Sequence, residues 1–116
     1  MKDYLEATRI MYAYTQDVPI GEDLYRRIID NIGDEPIAGA LMHLCVREPD
    51  GRLRYIDVWE SEEACARAFD ARIHPAVDAA FGGARPSVEP VVHLLDILHA
   101  SGAHLESTWS SPARRS

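Results

Sequence analysis

The sequence predicts an α+β domain of β-α-β-β-α-β order. Three observations lead there. The hydrophobic spacing switches between strand-like and helix-like stretches along the chain, two amphipathic stretches each fall between strand-like runs, and a Pro49-Asp50-Gly51 turn joins two such runs directly.

Residues 7–17 (ATRIMYAYTQD) place Ile10, Tyr12 and Tyr14 on one parity and Met11 and Ala13 on the other. Both faces are mostly apolar, as in a strand covered on two sides. Val18-Pro19-Ile20-Gly21 is expected to end it. Over residues 21–32 the spacing becomes helical: Leu24, Ile28 and Ile32 recur at every fourth position, with Tyr25 and Ile29 beside them. Glu22 and Asp23 suit the positive end of the helix dipole, Gly33 suits the C-terminal cap, and Pro36 prevents a restart.

Residues 38–48 form the next strand. Pro49 presets the first turn dihedral and Gly51 tolerates a positive φ, so a three-residue loop sets Glu48 against Arg52 as an opposite-charge pair. Counting outward fixes the register. Val46 faces Arg54, Leu44 faces Ile56 and Met42 faces Val58 on one side; Cys45 faces Tyr55, His43 faces Asp57 and Leu41 faces Trp59 on the other. Ser61 is a good N-cap for the second helix, with Glu62 and Glu63 in its first turn and Cys65, Phe69 and Ile73 as its buried stripe. Pro75 is expected to end or kink this helix near His74, with one or two further turns over 76–81. Residues 88–99 are apolar on both faces and make the last strand, where Pro90 suggests an edge or dimer-facing position. Residues 1–100 are thus read as one domain and 101–116 as a flexible tail, in which Trp109 alone offers a large apolar anchor.

This order is the ferredoxin-like split βαβ unit: a four-stranded antiparallel sheet with two helices on one face. Strands one, three and four carry large apolar groups on both parities, so the face opposite the helices is apolar as well. A homodimer joined through that open sheet face would bury it.

Bulk composition narrows the function. Among 116 residues, 12 Lys and Arg stand against 19 Asp and Glu, for a net charge of −7. Such a chain is a poor candidate for nucleic acid or an anionic membrane. No apolar run is long enough to span a bilayer and no signal-peptide core is present, so a cytoplasmic protein is expected. Cys45 and Cys65 lack CxxC spacing, which supports neither zinc nor a redox motif, and two free thiols suit a reducing compartment. His93 and His99 share a parity, but two positions do not make a metal site.

The best catalytic candidates are His43 and Asp57. A carboxylate beside an imidazole orients the ring and favours its cation, as a general base near neutral pH requires. Trp59 is a ring-stacking wall for an aromatic substrate or a core residue pinning the second helix to the sheet. Tyr55, Tyr12 and Tyr14 offer phenol donors if they line a pocket. Arg72 and His74 are candidates for its mouth, where they would hold an anionic oxygen.

The run Ile56-Asp57-Val58-Trp59-Glu60-Ser61-Glu62-Glu63-Ala64 resembles the strand-to-helix VWxSxEA signature of antibiotic-biosynthesis-monooxygenase-like domains, members of the dimeric α+β barrel superfamily. Residues 39–46 (GALMHLCV) and 69–77, with Arg72-Ile73-His74-Pro75, are similar to the same family, and the resemblance spans roughly residues 7–98. It implies a dimeric α+β barrel with a pocket between sheet and helices in each subunit, lined by Trp59. In quinone-forming members an asparagine, a tryptophan and an arginine bind and polarise a phenolic substrate. Here Trp59 matches, Tyr55 and Asp57 stand where the asparagine is sought, and Arg72 lies in a helical region. Heme-degrading members use a second-helix histidine; Phe69 stands near that place, and His74 comes later.

The expected function is therefore a small cofactor-independent enzyme acting on an aromatic or polyketide-like intermediate. Monooxygenase-type oxidation would go through a deprotonated substrate that itself supplies the electrons, with no flavin or metal. The alternatives are a cyclase or isomerase using the same His-Asp base, and a non-catalytic dimer module that binds a small apolar molecule.

Overall fold

A computed structural model describes residues 10–83 and 91–102. The elements are β1 (Tyr12–Val18), α1 (Glu22–Ile32), β2 (Ala40–Arg47), β3 (Leu53–Trp59), α2 (Glu62–Ala68), a π-helical segment (Phe69–Ile73), α3 (His74–Ala80) and β4 (Val92–Leu95). The strands form one antiparallel sheet in the order β2-β3-β1-β4, the ferredoxin-like arrangement, with both helical layers on one face. Residues 84–90 and 103–116, and with them Val88, Pro90, Trp109 and most of the expected tail, lie outside the described residues.

The β2–β3 hairpin has the expected register from Val46↔Arg54 to Met42↔Val58, including His43↔Asp57. The Gly51 amide bonds back to the Glu48 carbonyl at 2.8 Å and Gly51 has φ 91°, a value its missing Cβ makes cheap. Two expectations need correction. A bulge between Ala40 and Met42 sets Ala40, not Leu41, opposite Trp59. The cause lies next door. Gly39 has φ 86° and sits so close to α2 that a Cβ there would meet the Ala64 Cβ at 2.6 Å, and its carbonyl takes the Glu60 amide at 2.8 Å. The strand start is pinned to that helix, and the extra residue is absorbed as a bulge. Glu48 and Arg52 do not pair by side chain either: Arg52 turns to Asp50 at 2.7 Å, and Glu48 meets Arg54 at 3.3 Å.

Pro75 does not end the second helix. Helical geometry runs on from 62 to 80 because the turn before the proline widens, the His74 amide bonding to Phe69 O five residues back. Pro75 has no N–H to place in the ladder, and the π turn lets its ring enter in the first turn of a new α segment, one residue after His74. Ser61 caps α2 as expected, accepting the Ala64 amide at 3.0 Å. Asn31 Nδ2 donates to Ala76 O at 3.1 Å and ties α1 to α3.

The two outer ends also differ from expectation. Val18 belongs to β1, buried and paired with Leu53, rather than to a break. Among the described residues β4 is four residues long, pairs with β1 and is exposed throughout. The face away from the helices carries Met42, Leu44, Ile56, Val58 and Leu95, with Arg54 and Asp17 at its hairpin end. Met42, Leu44 and Leu95 are 38–45% exposed, so a substantial apolar strip of this sheet meets solvent in the single chain. Among the described residues, no helix is long and apolar enough to cross a membrane.

Candidate functional site

The helix-facing side of the sheet is set by strand parity. It brings together Tyr12 and Tyr14 of β1, Tyr55, Asp57 and Trp59 of β3, and His43 and Cys45 of β2. Asp57 is central and 5% exposed, the one buried charged side chain among the described residues. Its Oδ1 lies 2.5 Å from His43 Nδ1. A carboxylate only accepts, so Nδ1–H donates, and the ring's other nitrogen is left as an acceptor.

That acceptor already has a partner. Tyr25 Oη lies 2.8 Å from His43 Nε2, which makes a Tyr25–His43–Asp57 chain of two hydrogen bonds. The Tyr25 ring stacks beside His43 at 6.1 Å and 24°, and Tyr55 packs edge-on to His43 at 5.2 Å and tilted against Tyr25 at 5.6 Å. In the sequence Tyr25 stands out only as a residue flanking α1's apolar stripe. Strand register brings His43 to Asp57, but only the crossing of α1 over β2 brings Tyr25, and no local signal sets a crossing. An ion pair between Glu22 on the first turn of α1 and Arg47 at the end of β2 holds that crossing. Burial pushes the Tyr25 phenol up to about 12, with the neighbouring Cys45 acting in the same direction. Burial likewise raises the Tyr55 phenol and the Cys45 thiol.

The remaining candidates lie elsewhere. Trp59 is 4% exposed, donates from Nε1 to Tyr14 Oη at 3.3 Å and packs against Phe69 at 6.1 Å. With Tyr14, Cys65 and Ala68 it forms the hydrophobic core, and Tyr12 packs on its margin with its ring 5.6 Å from Tyr14. Burial raises the Tyr14 phenol and lifts the Cys65 thiol to about 11, which keeps both neutral. Arg72 is not brought to the dyad. Its guanidinium donates to the carbonyls of Ile32, Glu35 and Pro36 at 2.9–3.0 Å, closing the C-terminal end of α1. Ile32 is seven residues beyond Tyr25, about 10 Å along the helix. His74 packs edge-on to Phe69 at 5.4 Å and faces Asp70 on its own helix at 3.9 Å. Among the described residues, no three His, Cys, Asp or Glu side chains cluster as metal ligands would.

No family model matches the sequence, and no curated protein matches it. Solved structures do share its fold. A protein from Caulobacter crescentus assigned as an antibiotic biosynthesis monooxygenase superposes with a TM-score of 0.58 at 15% identity, covering 85% of this chain and all of that one. One from Chloroflexus aurantiacus with the same assignment gives 0.56 at 19% identity, over 79% of this chain and 97% of that one. A single-site variant of SnoaB from Streptomyces nogalater, a cofactor-independent oxygenase, gives 0.50 at 17% identity over 78% and 94%. At these identities the likeness establishes the fold: this chain has the α+β architecture of antibiotic-biosynthesis-monooxygenase-type domains.

Proposed function

We propose that the protein deprotonates an aromatic or polyketide-like substrate at the His43–Asp57 pair and that the resulting carbanion reacts with molecular oxygen, the substrate supplying the electrons. The observation that carries this reading is the 2.5 Å contact between a half-exposed imidazole and a buried carboxylate, flanked by the Tyr25 and Tyr55 phenols on the helix-facing side of the sheet. Asp57 holds the tautomer and stabilises the imidazolium that forms, the division of labour a general base needs. The fold it shares with a cofactor-independent oxygenase supports the oxygen branch.

The balance closes with oxygen as the sole oxidant. A substrate C–H proton passes to the base, and the carbanion's electron pair forms a C–O bond to O2. The hydroperoxide takes the proton back. Loss of the second C–H proton then expels water as the O–O bond breaks, leaving a carbonyl. Tyr55 flanks the imidazole, while Trp59 and Tyr14 belong to the core beyond Asp57, with Tyr12 at its margin. Arg72 and His74 are assigned to helix architecture. A cyclase or isomerase is the second reading, because nothing around the dyad is specific to oxygen.

The test follows consumption of tricyclic and bicyclic hydroxyarenes and their ketone tautomers with and without oxygen. Oxygen-dependent turnover that falls about 10²–10⁴-fold in His43→Asn supports the oxygenase reading. Turnover indifferent to oxygen moves the assignment to the cyclase or isomerase. No turnover, with binding unchanged in His43→Ala, leaves a binding module.

We also propose that two copies pair through the open sheet face, since Met42, Leu44 and Leu95 otherwise remain in water. Sedimentation should give a dimer that Leu44→Asp dissociates; a wild-type monomer at tens of micromolar would overturn this.

A further inference from the structure

The geometry points to Tyr25 as a catalytic residue: we infer that protons pass between substrate and His43 through the Tyr25 hydroxyl. This rests on His43 being the base. His43 is 39% exposed along its side chain, yet neither ring nitrogen is open. Nδ1 is held by Asp57 at 2.5 Å and Nε2 by Tyr25 at 2.8 Å, with Tyr55 edge-on to the ring. A substrate that reaches the imidazole therefore meets the phenol oxygen first. Tyr25 is also fixed in place. It sits on the first turns of α1, anchored by Glu22 to both Arg26 and Arg47, and its ring is wedged against those of Tyr55 and His43.

The step is a paired transfer. The substrate C–H or O–H bond breaks as its proton binds Tyr25 Oη; the existing Tyr25 O–H bond breaks as that proton binds His43 Nε2. The products are a substrate anion, a neutral phenol and an imidazolium facing the Asp57 carboxylate. No electrons change owner. Reprotonation of an intermediate runs the same path backward.

Nitrobenzisoxazole separates the two ideas, because removal of its C–H proton opens the ring by N–O cleavage to a coloured cyanophenolate. Its carbon-bound proton does not exchange with solvent, whereas the Tyr25 hydroxyl proton does. Passage through Tyr25 predicts a primary solvent deuterium isotope effect in the wild type, and Tyr25→Phe lowers the rate at least about tenfold, toward that of His43→Asn. A Tyr25→Phe protein with the wild-type rate, while His43→Asn is slow, overturns the relay and leaves His43 as the base. A wild type no faster than His43→Asn overturns both. Should Tyr25→Phe fail to fold, the isotope effect on the wild type decides alone: its absence overturns the relay.

Discussion

Asp57 divides the helix-facing side of the sheet into two aromatic groupings. Toward α2, Trp59, Tyr14, Phe69 and Cys65 pack as core, with side-chain hydrogen bonds from Trp59 to Tyr14 and between Tyr14 and Cys65. Toward α1, Tyr25, Tyr55 and His43 are only half-buried, and two short hydrogen bonds run through them to the carboxylate. Both contain a tyrosine and both draw on β3, the first adding β1 through Tyr14 and the second β2 through His43. They differ in what the covering helix offers: α2 presents Cys65, Ala68 and then Phe69, whereas α1 presents a tyrosine whose hydroxyl needs a partner. A small apolar helix face lets the indole settle into core. A phenol-bearing face creates a polar chain that stays reachable from water.

The largest effect expected is on the closed side. Trp59→Ala should lower unfolding free energy by about 3–5 kcal/mol, read by urea titration, because a buried indole is replaced by a cavity. A loss near zero would mean that Trp59 lines open space and that the two groupings are alike. Next comes the open side. His43→Ala should cost about 1–3 kcal/mol, since it leaves the Asp57 carboxylate buried without its donor. The same change in an Asp57→Ala background should cost clearly less; equal costs in both backgrounds would deny the coupling.

How much of this contrast was legible in the linear sequence depends on its range. The hairpin could be read because a three-residue turn with Gly51 fixes every pair outward from it, and His43↔Asp57 came with it. Leu41 opposite Trp59 failed one pair further on. The bulge there answers to Gly39 touching Ala64, a contact between residues 25 apart that strand counting cannot see. Pro75 left two outcomes open, an end or a kink near His74, and the helix continues over His74–Ala80 because a preceding π turn removes the need for the ladder bond that proline forbids. Tyr25 and Arg72 are the instructive pair. The cation offered for substrate was absorbed by the end of α1, while an unremarked stripe residue became His43's partner. Both outcomes were set by how α1 crosses the sheet, which no spacing within α1 encodes.

Arg72 braces one grouping to the other, since it lies on the π segment behind Phe69 and donates to the chain leaving α1. Arg72→Met should cost about 1–2 kcal/mol and speed hydrogen exchange at the last turn of α1. The His43–Tyr25 contact, seven residues back along α1, should be left intact. If the nitrobenzisoxazole rate instead falls with Arg72→Met as it does with His43→Asn, Arg72 belongs to the site after all.

Alkali and acid should finally separate the aromatic interior from the outer face. Asp17 is held below the ordinary carboxylate range by Arg54, and Glu22 by Arg26 and then Arg47. Their stabilisation is present at neutral pH and lost as pH falls through those lowered values; because they are exposed, the loss is small. The interior behaves oppositely. Tyr25 is pushed up to about 12 by burial, and Tyr14 and Tyr55 are raised by the same cause. An unfolded tyrosine ionises near about 10, so above that value the unfolded chain releases protons that the folded one keeps. Stability should hold up to that point and decline as pH climbs through 12. In Tyr25→Phe the decline should be shallower, with the acid side unchanged. Phenolate absorbance followed alongside the urea midpoint checks this, and an identical alkaline decline in Tyr25→Phe would mean that Tyr25 is no more enclosed than a surface phenol.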